Sequence, residues 1–326
     1  MIQRGEDINI GVGMENPSAR GTKVTPQMWI PGRTPTGIKL NVNKATIKET
    51  RANKIASEGT EPVMKTASGD LEANIRSKSF GYLFRSLLGK CTSAAKGGES
   101  GVYEHTFEVL PSNPEHPSLT LGLSQPAIQD YSYPLAVVSE MKINTTPEDL
   151  VVATVSMLAS AEEEKSPDYV VAYDADDIYF RHQDVKIYFA ADVAGLATAA
   201  VTKVKSLEAD IKNNAAEDQN VSELNPGNIL AGLIDVTGSF EANYNSKDNH
   251  DIFDDNTYKA MRIVLERVDL TIGSASHPKI QITLPRVSFT NLTPNRPIDD
   301  IVTDSVEFQA HYDDDEAQAI EIIITN

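Results

Sequence analysis

The side chains equipped for chemistry in this chain are carboxylates and histidines, and their spacing does not assemble them into a reaction centre. Asp and Glu number 47 against 29 Lys and Arg, a formal charge of −18. Asp174, Asp176 and Asp177 lie close enough to hold a cation, as do Asp313, Asp314, Asp315 and Glu316. Neither cluster has the ligand spacing and central glycine of a calcium loop, so both read as solvated acidic turns. The six histidines (His105, His116, His182, His250, His277, His311) are scattered, and His116 and His277 each precede a proline at the start of an alternating run. That position is structural.

No nucleotide or hydrolase motif fills the gap. Gly11-Val12-Gly13 lacks the third glycine of a dinucleotide fingerprint, and Gly89-Lys90 runs into Cys91 without the upstream glycine of a phosphate loop. HExxH, CxxC and GxSxG are absent. Nothing argues for a glycosidase carboxylate pair, and an aromatic content of 6% is poor for stacking sugars. Cys91 is the single cysteine, so an internal disulfide and a cysteine zinc cage are both excluded. The acidity opposes stable nucleic-acid binding, which needs clustered Lys and Arg. The start, Met1 to Glu6, carries no apolar stretch of a signal peptide, and the longest apolar run (150–159) is too short to cross a bilayer. The expectation is a soluble non-enzyme with no cofactor and no metal.

The elements say more than the side chains. Gly69-Asp70-Leu71-Glu72-Ala73-Asn74-Ile75-Arg76-Ser77-Lys78 returns 169 residues later as Gly238-Ser239-Phe240-Glu241-Ala242-Asn243-Tyr244-Asn245-Ser246-Lys247, with six of ten positions identical. The apolar pairs Leu71/Phe240, Ala73/Ala242 and Ile75/Tyr244 sit two apart, the period of a half-buried strand. His116-Pro117 with Leu119, Leu121 and Leu123 is echoed by His277-Pro278 with Ile280, Ile282 and Leu284. Further on, Val137 to Ile143 is matched to Val306 to Tyr312, the turn at 145–149 to 313–316, and Val151 to Met157 to Ile320 to Ile324. A half-chain repeat predicts a mainly β protein of two duplicated domains, 36–165 and 166–326, joined at the charged run 162–167.

Each domain carries a flanking helix. The clearer one lies at 79–89, where Phe80, Leu83, Phe84, Leu87 and Leu88 form one stripe, with Ser79 as cap and Gly89 as stop. The second is weaker, around Ile252, Phe253 and Tyr258. Residues 49–62 and 92–101 read as loops, 178–180 as a strand, and Val264, Val268, Leu270 and Ile272 as one long strand. Residues 1–35 are rich in Gly and Pro and read as an arm outside the core. The apolar trio Met28, Trp29 and Ile30 predicts that this arm docks, on its own domain or on a neighbouring subunit, and makes these three the candidate assembly residues.

Several short segments together resemble the tail tube proteins of long-tailed bacteriophages. They are Gly11-Val12-Gly13-Met14-Glu15, the Gly21-Thr22 before Pro26, the strand 68–74 followed by the helix 80–89, His105-Thr106-Phe107, Pro117-Ser118-Leu119-Thr120, and Phe308-Gln309-Ala310-His311-Tyr312-Asp313. The resemblance implies β-sandwich or barrel domains, six to a ring, stacked into a hollow tube. Two domains per chain imply a trimeric ring with pseudo-sixfold symmetry, other tail proteins at the tube ends, and DNA passing through the bore without being read. It implies a virion location, assembly in the host cytoplasm, no membrane and no catalytic residue. A tail terminator, a capsid decoration protein or a two-domain β-sandwich binding module are the alternatives; the repeat and the arm favour a tube.

Overall fold

The computed structural model describes residues 4–34, 37–49, 57 and 59–326. The first half of the chain forms β1 (Asn9–Met14), β2 (Met28–Ile30), β3 (Lys39–Ile47), β4 (Gly59–Asn74), α1 (Ser79–Leu88), β5 (Gly89–Ala95), β6 (Tyr103–Val109), β7 (Leu119–Ser124), β8 (Tyr131–Thr145), β9 (Val152–Ala159) and β10 (Glu163–Glu164). The second half forms β11 (Val185–Ala190), β12 (Val201–Thr202), β13 (Val204–Lys212), β14 (Ala216–Asp218), β15 (Asn228–Leu230), β16 (Asp235–Asn243), α2 (Asp248–Asp254), β17 (Lys259–Glu266), β18 (Lys279–Asn295), β19 (Thr303–His311) and β20 (Glu321–Thr325). The protein is mainly β, and all the strand pairs are antiparallel.

The pairing in the first half recurs in the second. β3 pairs with β4, β4 with β9, and β9 with the C-terminal part of β8. In the same way β13 pairs with β16, β16 with β19, and β19 with the C-terminal part of β18. The N-terminal part of β8 pairs with β7 and β10, and β7 with β1, which also carries β2. Likewise β18 pairs with β17 and β20, and β17 with β11, which carries β12. Even the irregularities coincide. The register of β8 on β9 slips between Val138 and Glu140, and that of β18 on β19 between Phe289 and Asn291. A bulge bends a strand and adds twist, which lets β8 and β18 each serve two rows of strands.

Two joins unite the halves. β8 pairs with β13, making one eight-strand row, β3-β4-β9-β8-β13-β16-β19-β18. The β5–β6 hairpin, which has no counterpart in the second half, reaches across so that β6 pairs with β20. The apolar core is continuous through both halves. Strands β7, β11 and β17 share the main core on one face of the row, whereas the β14–β15 hairpin packs Ile229 against Val137 and Leu158 on the other. Phe189 on β11 packs at a tilt of 44° against Phe240 on β16, ring centroids 5.5 Å apart, with Phe289 and Phe308 beside them.

α1 forms where its stripe predicts: Phe80, Leu83, Phe84, Leu87 and Leu88 are all fully buried. Gly89 ends it at φ +94°, with no room for a Cβ beside Leu110 and His116. Its start differs from expectation. Ser79 makes no capping bond; the Asp177 carboxylate accepts from the backbone N–H of Lys78 (2.8 Å) and Ser79 (3.2 Å) across 98 residues. Within the acidic stretch 174–177, Asp177 is therefore a buried cap and not part of a solvated turn, while Asp176 is exposed and the half-buried Asp174 pairs with Lys78 at 2.9 Å.

Other expectations are corrected. Residues 9–14 are core: β1 buries Ile10 and Val12, because Gly11 and Gly13 let the segment 24–29 lie directly on the strand. Residues 89–95 form β5, 178–180 form no strand, and β17 stops at Glu266 with Val268 exposed. The counterpart of β8 is β18, not Val306 to Tyr312, and that of β7 is β17, not the run after His277. Alternation alone does not distinguish one apolar strand from the next. Tyr244 lies beyond the end of β16 and is exposed. Much of the polar segment 49–62 lies outside the described residues.

Candidate assembly surfaces

The eight-strand row has one apolar face and one polar face. Strand period two places Leu71, Ala73, Val155, Met141, Ile143, Ala209, Ile211, Phe240 and Val306 in the core. It turns the intervening residues the other way. On that polar side stand Asp70, Glu72, Glu140, Glu208, Asp210, Asp235, Glu241 and Glu307, with Lys39, Lys142 and Lys212 among them. Eight carboxylates against three ammonium groups make the face acidic. Thr154, Ser156, Thr237, Ser239, Ser305 and Asn291 lie there too, with the apolar Val152 and Leu158 of β9.

Its charges concentrate at the β8–β13 join. Glu140 stands opposite Lys212, and Lys142 opposite Asp210. Lys212 Nζ lies 2.9 Å from Asp210 and 3.5 Å from Glu140; Lys142 Nζ lies 3.3 Å from Glu140 and 3.9 Å from Asp210. Burial pushes the Asp210 carboxyl above its ordinary range, and the neighbouring Glu140 carboxylate adds to this against the pull of Lys212. Burial opposes ionisation of Glu140 too, but its bond to Lys142 and the nearby Lys212 hold its pKa below the ordinary value. At one rim Arg33 bridges Asp149 (3.1 Å) and Glu72 (3.8 Å), tying the segment after β2 to this face.

The row ends in two strand edges. Among the described residues, β3 pairs only with β4, and the C-terminal part of β18 only with β19. Leu292 and Leu40 on these edges are half-buried, whereas Met141 and Ile211, their positional counterparts at the internal join, are fully buried. A bare sheet edge is a template for another strand.

The three residues singled out from the sequence fall on β2. Trp29 and Ile30 are 5% and 0% exposed, and Trp29 meets Tyr169 edge-on at 5.6 Å. Both are committed to their own chain. Met28 is half-buried and lines a groove of about 500 Å³ with Tyr82, Arg85 and His105. The open edges carry no composition signal and were not legible in the sequence; only the pairing order reveals them. Cys91 is a free thiol. Among the described residues no group of three metal-binding side chains occurs, and no helix is long and apolar enough to cross a membrane. His116 is buried with Nδ1 3.2 Å from the Ser86 carbonyl, and His277 Nδ1 lies 2.7 Å from that of Leu270. Both are structural.

A search of curated proteins returns no match to the chain. The family model described as phage tail tube protein matches residues 5–310. With a mainly β architecture and a match over nearly its whole length, the chain belongs to the phage tail tube protein family, and its role is that of a structural protein of the virion tail.

Proposed function

We propose that three copies of this chain close into a ring of six similar units, and that rings stack into the tube through which DNA leaves the particle. One observation carries the reading: the wiring of β1–β4 and β7–β10 is repeated by β11–β13 and β16–β20, down to the bulge, and the two repeats already stand side by side through β8 and β13. Each chain is then two tube units, with the seam between them a sample of the seam that builds the ring. Closed point symmetry removes the two bare edges.

The acidic face lines the bore in this arrangement. Duplex DNA carries about one negative charge per 1.7 Å of its axis. Clustered cations would hold it by counterion release, whereas a carboxylate-rich wall repels it and leaves it free to slide. No base is read and no bond is made or broken. Other tail proteins meet the tube at its ends.

Electron microscopy of the purified protein, with its mass in solution, tests this. Rings or tubes with a central hole, built on three chains, are the expected result. A protein that stays monomeric at high concentration and in the presence of tail-tip proteins would refute the reading.

A further inference from the structure

The internal seam specifies a seam between chains, residue by residue. Counterparts follow from the repeated pairing. Gly69 corresponds to Gly238, and their partners Met157 and Phe308 correspond in turn. Val138 then corresponds to Phe289, Met141 to Leu292, Lys142 to Thr293 and Ile143 to Pro294. On the other side Asp210 corresponds to Lys39 and Ile211 to Leu40.

The direction of the backbone groups on β18 is fixed by its neighbours. Tyr244 N–H donates to the Val302 carbonyl (3.0 Å), so the even-numbered residues of β19 bond to β16 and the odd-numbered ones to β18. Pro294 stands opposite Asp304 and Leu292 opposite Val306. Both therefore turn their backbone away from β19, to the open edge. Independently, Asn213 N–H donates to the Ser139 carbonyl (3.0 Å), which by the same alternation points Met141 and Ile143 at β13. The two phases agree. Where Ile143 offers an N–H to the internal seam, Pro294 has none. Proline with its nitrogen outward is a residue that sheet edges tolerate and that stops further pairing.

We propose that β18 of one chain pairs antiparallel with β3 of the next in the register of the internal seam, Leu292 opposite Leu40 and Thr293 opposite Lys39, and that Pro294 sets where the pairing ends. This rests on the ring reading above. The two seams differ in chemistry. The internal one carries Glu140, Lys142, Asp210 and Lys212; the one between chains carries Asn291, Thr293, Lys39 and Asn41, with a single charge. Rings built on it hold together through backbone bonds and the two leucines, and salt does little to them.

Cysteine cross-linking tests the register. Cys91→Ser removes the native thiol, and Lys39→Cys is then combined with Thr293→Cys or with Asn291→Cys. Thr293 and Lys39 form a pair without mutual backbone bonds, with Cα atoms about 4.5 Å apart, inside disulfide range. The Asn291 pairing is diagonal, about 7 Å or more, and outside it. Oxidised assemblies of the first variant are expected to run as covalent trimers on denaturing gels, and those of the second as monomers. Tubes seen by microscopy without cross-linked trimers, or equal cross-linking in both variants, overturn the seam and leave the tube reading standing. Neither tubes nor cross-links in any variant, including Cys91→Ser alone, overturns both. Pro294→Ile supplies the missing donor and is expected to lower the protein concentration needed for assembly about fivefold, the effect of one backbone hydrogen bond. An unchanged concentration overturns the role of Pro294.

Discussion

Two carboxylates fasten distant parts of this chain, and each does so by accepting backbone N–H groups. Glu99, at the tip of the β5–β6 hairpin, accepts from the N–H of Ser274, Ala275 and Ser276 at 3.0–3.1 Å and from the Ser276 hydroxyl at 2.6 Å. The hydroxyl bond and then the backbone bonds hold its pKa down to about 2. A depressed carboxyl stabilises the fold above its unfolded value, about 4.3, and that contribution is lost as pH falls toward 2. Glu99→Gln is expected to be less stable than the parent at pH 7 and to converge with it near pH 2, measured as urea midpoints. Asp177 is buried and caps α1; Asp177→Ala is expected to cost about 1–2 kcal/mol in the same assay. Neither role was visible in the sequence. Asp177 sits in an acidic run that looks solvated, and its target lies 98 residues upstream.

Among the elements, the repeated motif was the most legible part of the chain, and the structure explains its first residue. A Cβ on Gly69 would lie 2.4 Å from the backbone of Gly37 and Ile38, and one on Gly238 would lie 2.4 Å from the Glu208 carbonyl. Both glycines let a neighbouring strand pass close. Gly69→Ala and Gly238→Ala are each expected to cost roughly 1–3 kcal/mol, since backbone cannot rotate aside. Gly59→Ala, with nothing within 4 Å, is the control and is expected to be neutral. Thermal or urea unfolding decides it. Strand periodicity and the α1 stripe were readable because burial imposes them on local sequence. The correspondence of β8 to β18, the bulges and the open edges were not, because they depend on contacts between remote segments. The bulge after Val138 is held by Ser86 Oγ, which accepts from its N–H at 3.2 Å, and by Asn213, whose amide donates to its carbonyl at 2.6 Å. Nothing in the alternation of β8 announces either.

For the whole molecule the decisive property is the sign of one face. Glu208→Lys with Glu241→Lys converts two carboxylates of the polar face, the wall of the proposed bore, without touching the core. Assembled tubes of this variant are expected to retain duplex DNA at low salt and release it at higher salt, as counterion release dictates. Parent tubes are expected to retain none at either. DNA retention equal to that of the parent would remove charge from the explanation of how the bore works.

The β6–β20 pairing also sets a timetable. β6 is translated more than two hundred residues before the strand that completes it. Until β20 emerges from the ribosome, Phe107 lacks Ile322 as a partner; the loop that the Glu99 tip grips, at 274–276, is translated somewhat earlier but still far behind β6. Such a remote closure is slow and keeps the early half unfinished while the chain grows. A polypeptide cut short before β20 is thus denied a completed first half, so only full-length copies carry the finished fold.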